Sequence, residues 1–93
     1  MVRASARHIL VPTAGQAETI KQQIADGADF AEMARAHSTC PSGKQGGDLG
    51  EFSPGQMVAE FNDVCFNEEV GVVHGPVETR FGFHLIEVTD RSE

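Results

Sequence analysis

The chain has no tryptophan or tyrosine, two cysteines, and seven lysines and arginines against fourteen aspartates and glutamates. Each shortage excludes something. A formal net charge of -7 cannot release counterions from a polyphosphate or an anionic bilayer, so no nucleic acid and no membrane is expected as a partner. Cys40 and Cys65 lie far apart in different local contexts, which gives no disulfide framework and points to a reducing, cytoplasmic compartment. The opening Met1-Val2-Arg3-Ala4-Ser5-Ala6-Arg7 has no apolar segment behind it, so no secretory signal is read there. No apolar run is long enough to span a bilayer. Internal repeats, low-complexity tracts and linkers are also missing. The 93 residues suffice for one modest core, read as a single domain over 1–93 acting as a monomer.

What is present is ordinary globular composition, 40% hydrophobic and 23% charged, with six phenylalanines supplying all the aromatic surface. Two similar tripeptides stand near opposite ends, His8-Ile9-Leu10 and His84-Leu85-Ile86, each inside a short apolar run that reads as a strand. Strand one covers 7–11 and stops at Pro12, which cannot donate to a ladder. Thr13 and Gln16 have capping-box spacing, and Ala17, Ile20 and Ile24 follow on one helical face until Gly27. Asp29 caps a second helix with Glu32, on which Phe30, Met33, Ala34 and His37 share a face. Residues 39–50 hold one proline and four glycines and are expected to form an irregular loop. A short strand over 48–52 follows. Ser53-Pro54 is expected to start a third helix, with Met57, Val58, Phe61, Val64 and Cys65 on its apolar face. Residues 70–77 are apolar but broken, and 83–89 is a clean strand after a turn at 80–82. The order is β-α-α-β-α-β-β, an α+β domain with a mainly antiparallel sheet and helices packed around it.

Four kinds of chemistry compete for these residues. Cys40 could be a nucleophile with His8 or His84 as base, but no orienting Asn or Asp and no oxyanion signature accompany it. His8, His84, His37 and Cys40 lack metal-ligand spacing, so no metal is expected. The stretch Ser42-Gly43-Lys44-Gln45-Gly46-Gly47 lacks the Gly-Lys-Ser/Thr ending of a phosphate loop and precedes a strand. The fourth is an apolar pocket built from Leu49, Phe52, Met57, Phe61 and Phe81 around Cys40 and the histidines. Each of these residues alone would be read as core or, for His74 beside Gly75, as solvated loop.

Their joint appearance resembles the parvulin-type peptidyl-prolyl isomerases over nearly the whole chain. Five ordered motifs carry the resemblance: His8-Ile9-Leu10-Val11; Ala34 to Ser42 with Ser38, Cys40 and Ser42; Gly46-Gly47-Asp48-Leu49-Gly50-Glu51-Phe52; Gly55-Gln56-Met57 to Phe61; and Gly75-Pro76-Val77-Glu78-Thr79 to Gly82-Phe83-His84. The match is nearest to the small stand-alone bacterial parvulins. The resemblance implies a parvulin-like, FKBP-like fold with a four-stranded sheet. It implies a polar centre of His8, Cys40, Thr79 and His84, with Leu49, Met57 and Phe61 around a substrate proline, Gln56 as a backbone contact and Phe81 on the rim. It implies isomerisation of X-Pro bonds in peptides and unfolded or flexible protein segments, without a cofactor, with a non-catalytic peptide-binding holdase as the competing function. Phosphate-directed relatives carry a basic loop after the first strand. Here that place holds Pro12-Thr13-Ala14-Gly15-Gln16, so phosphoserine-proline selectivity is not expected.

Overall fold

The computed structural model describes residues 3–92. Strand β1 (Arg3–Val11) is followed by helices α1 (Ala14–Ala25) and α2 (Phe30–His37), a 3-10 turn (Pro41–Gln45), β2 (Asp48–Phe52), α3 (Ala59–Asn67), β3 (Val73–Thr79) and β4 (Gly82–Ser92). The strands form one antiparallel sheet in the order β2-β1-β4-β3. The chain's two ends thus pair at the centre, and the shorter strands form the edges. On β3 the register with β4 breaks between His74 and Val77, where the chain passes Pro76, which offers no ladder donor.

Both faces of the sheet are covered, and strand alternation decides what goes where. Ala4 and Ala6 of β1 and Ile86 and Val88 of β4 face α3, packing with Phe52, Phe61 and Cys65. Ile9, Val11 and Leu85 face the other way, onto Ala17 and Ile20 of α1 and Phe30 and Ala34 of α2. Small side chains at positions 4 and 6 leave room for α3 to settle on the sheet. His8 and His84 fall on the α3 side, one step beyond these alanines.

The helix caps follow the sequence signals. Thr13 Oγ1 accepts from the Gln16 amide at 3.2 Å and Asp29 Oδ2 from the Glu32 amide at 3.0 Å. Several expectations are corrected. Ser53-Pro54 opens a turn and not a helix: the Gln56 amide closes onto the Ser53 carbonyl, and the Gly55 amide bonds Asn62 Oδ1 at 2.8 Å. Helix α3 starts only at Ala59, and Met57 and Val58 reach the core from outside it. Strand β1 begins at Arg3, four residues early, and β4 runs on to Ser92. His37 is exposed at the end of α2, not on its buried face. His74 is half-buried in β3 with Nε2 against the Glu69 carbonyl at 2.8 Å, not solvated in a loop. The irregular stretch after α2 contains the 3-10 turn.

Candidate active site

In the β1–β4 register His8 lies opposite Ile86, and His84 opposite Leu10. The histidines are therefore diagonal neighbours on one face, close enough for their side chains to meet. Their Nδ1 atoms are 3.0 Å apart, and the rings lie nearly parallel at 18° with centroids 5.2 Å apart. Phe61 of α3 stands edge-on to both, at 5.5 Å from His8 and 5.9 Å from His84. The pair is almost sealed from solvent, with His8 5% and His84 4% exposed.

The outward nitrogens also have partners. Thr79 Oγ1 is 2.7 Å from His84 Nε2 and accepts from the Phe81 amide at 3.1 Å. Ser42 Oγ is 3.1 Å from His8 Nε2 and 3.3 Å from Cys40 Sγ. A single chain of polar groups results, Cys40–Ser42–His8–His84–Thr79. Burial, with the nearby charge His84 would carry, lowers His8 to about 4. Burial also lowers His84, against an opposing pull from the Glu60 carboxylate. Both imidazoles are thus neutral at pH 7, and each bond in the chain needs one polar atom as donor and its neighbour as acceptor.

The segment bearing Cys40 is fastened to β1. Ser38 Oγ accepts from the amides of Leu10 at 3.1 Å and Cys40 at 3.3 Å, and the Thr39 amide donates to the Leu10 carbonyl at 2.8 Å. Below it the glycine-rich stretch serves His8. The His8 amide donates to the Gly47 carbonyl at 3.0 Å. Gly47 has φ +83°, and a Cβ there would press into the His8 carbonyl oxygen and come 3.2 Å from its backbone nitrogen and carbon. Only glycine meets both demands. The cavity itself is bordered by Thr39, Cys40 and Pro41, just ahead of this stretch, and no glycine among the described residues lines it.

Above the polar chain opens a cavity of about 480 Å³ lined by His8, Leu10, Thr39, Cys40, Pro41, Leu49, Gln56, Met57, Val58, Phe61, Phe81 and His84. All nine expected site residues are accounted for: eight line it, and Thr79 lies beneath, bonded to His84. Phe52 does not take part. It is a core residue packed on Phe61 and Phe66. Among the described residues no lysine, arginine, aspartate or glutamate side chain borders the space. Gln56 Oε1 is held by the Ser53 amide, which leaves the side-chain NH2 as its donor toward a ligand. Phe81 is 59% exposed at the mouth. The second cysteine, Cys65, is buried in the core, and burial pushes its thiol up to about 12. Among the described residues no group of three His, Cys, Asp or Glu is placed to hold a metal ion, and no helix is long and apolar enough to cross a membrane.

Sequence reasoning missed Leu10, Thr39, Pro41 and Val58 as lining residues and Ser42 as a link in the polar chain. Leu10 was readable from its alternation with His8. Ser42 was not, because only the 3-10 turn bends its hydroxyl back between Cys40 and His8.

A family model described as the PPIC-type PPIase domain matches residues 1–92. The chain belongs to this family, the parvulins. The foldase protein PrsA of Exiguobacterium sibiricum is 47% identical over 94 residues, covering 99% of this chain and 31% of that protein. The chain spans about a third of the length of the curated relatives it matches. The crystal structure of the peptidylprolyl isomerase PrsA from Bacillus anthracis superposes with a TM-score of 0.95 at 34% identity, covering 99% of this chain and 43% of that one. The solution structure of the parvulin of Nitrosopumilus maritimus gives 0.87 at 33% identity, covering 97% and 98%. The four-stranded α+β fold of this parvulin domain is therefore shared along the whole chain.

Proposed function

We propose that this parvulin domain catalyses the cis–trans isomerisation of X-Pro bonds in exposed or unfolded protein segments, without a covalent intermediate, and so assists folding. The observation that carries this reading is an apolar cavity bordered, among the described residues, by no lysine, arginine, aspartate or glutamate side chain. Rotation about a peptide bond is opposed by about 18–20 kcal/mol of amide resonance. The twisted amide is less polar than the planar one, so a dry apolar enclosure holding no charge favours it relative to water. Leu49, Met57 and Phe61 surround the proline ring, while Gln56 and the Cys40 end of the polar chain hold the preceding carbonyl. A thousandfold acceleration needs only about 4 kcal/mol, within the reach of such contacts.

NMR exchange or protease-coupled turnover of short Ala-Pro-Phe and Leu-Pro-Phe peptides tests this reading. Catalysed exchange is expected, slower with phosphoserine or glutamate before the proline, since the cavity border holds no cation and the chain is acidic. Binding of the peptides without catalysed exchange would overturn it in favour of a holdase, a function the 59% exposure of Phe81 would also serve. A preference for phosphoserine-proline would overturn the selectivity.

A further inference from the structure

We propose that Ser42 is a positioning residue of this site, coupling the Cys40 thiol to the histidine pair so that the five polar groups change their hydrogen-bond order together. The proposal rests on the isomerase reading of the cavity. Its ground is that one hydroxyl stands within bonding distance of both groups, 3.1 Å from His8 Nε2 and 3.3 Å from Cys40 Sγ. A serine hydroxyl has one proton, so it donates to one of them and accepts from the other.

Either choice propagates. If Ser42 donates to His8 Nε2, His8 carries its proton on Nδ1 and gives it to His84 Nδ1. His84 then donates from Nε2 to Thr79, and the Cys40 thiol donates to Ser42. If Ser42 donates to Cys40, every bond reverses: Thr79 donates to His84 Nε2, His84 Nδ1 to His8 Nδ1, and His8 Nε2 to Ser42. The two orders hold the same five protons and no net charge. They differ in what faces the ligand. Cys40 lines the cavity and Thr79 does not, so only the second order frees the thiol proton for a substrate carbonyl.

Nitrogen-15 NMR of the imidazoles reads the order directly, because a protonated and an unprotonated ring nitrogen resonate far apart. Cys40→Ala removes Ser42's alternative acceptor, and the His8 proton is expected to move toward Nδ1, although no hydrogen bond joins Cys40 to His8 among the described residues. In a Ser42→Ala background the same Cys40→Ala change should leave the His8 resonances still, and Ser42→Thr should restore the response. Turnover by Ser42→Ala should fall about tenfold in kcat, the size of one lost hydrogen bond, and recover in Ser42→Thr. Identical His8 resonances in the parent and Cys40→Ala proteins would overturn the coupling, and that comparison stands even if Ser42→Ala fails to fold. A response to Cys40→Ala that survives in Ser42→Ala would overturn it too. A protein with the expected response but no turnover would support the coupling and sink the isomerase reading instead.

Discussion

Lowering the pH should destabilise this domain through His8 before the bulk of its carboxylates respond. His8 titrates at about 4 in the fold and at about 6.5 in an unfolded chain. Between those values the unfolded state binds the proton and the folded state does not, so stability is full above pH 6.5 and is lost as pH falls toward 4. A shift of about 2.5 units at about 1.4 kcal/mol each gives about 3 kcal/mol in all, of which about 2.5 kcal/mol is lost by pH 4.5. His84 is lowered as well and acts with the same sign. Since part of the effect on His8 comes from His84, the loss belongs to the pair. Urea denaturation of the parent and His8→Gln proteins at pH 7.5, 6, 5 and 4.5 isolates it, because the carboxylates are common to both. The parent should lose about 2.5 kcal/mol more than His8→Gln over that range. Equal losses would refute the reasoning, as would His8 titrating near 6.5 by NMR. Turnover, in contrast, should be flat from pH 6.5 to 8, since neither imidazole changes charge there.

Substitutions at three positions probe other parts of the site. Gly47→Ala must place a Cβ against the His8 carbonyl at positive φ, and the strain and crowding should cost about 2–5 kcal/mol in urea denaturation and lower kcat/KM. Cys40→Asp should keep measurable peptide isomerisation, because a carboxyl can accept Ser42's hydrogen bond, while Cys40→Ala should lose more. Phe61→Ala removes a 3%-exposed ring that touches both histidines and the cavity. It should cost about 3–5 kcal/mol of stability and raise KM for apolar X-Pro peptides in an exchange assay.

Much of this was legible from the chain, for physical reasons that differ by residue. Pairing of His8 with His84 followed from two strands with the same apolar flanks, because alternation puts both rings on one face once the strands are adjacent. Caps at Thr13 and Asp29 are local hydrogen bonds and so are written in local sequence. Periodicity puts Met57 and Val58 on a helix because they point into the same core as Phe61. The turn that replaces the helix there is set by two side-chain contacts, Gln56 to the Ser53 amide and Asn62 to the Gly55 amide, which periodicity does not encode. Gly75 and Pro76 make the sequence around His74 look like a loop, whereas β4 pairs with the strand on either side of them. The role of Gly47 was invisible, since it depends on which strand the loop crosses.

The geometry also decides against the chemistry that Cys40 and two histidines first suggest. A cysteine nucleophile needs a base in contact and a third group to orient that base. Here the thiol touches Ser42, and the nearer imidazole, His8, lies one bond further on. That imidazole is held at about 4, so making it an imidazolium costs about 3 kcal/mol more than in water. The group on its other side is His84, whose own charge would oppose the step, where an acyl-transfer site has a carboxylate that would favour it. Every feature that makes the pair a poor base makes it a good fixture. Neutral, buried rings bonded to each other tie β1 to β4 beneath the cavity and give it a floor without charge.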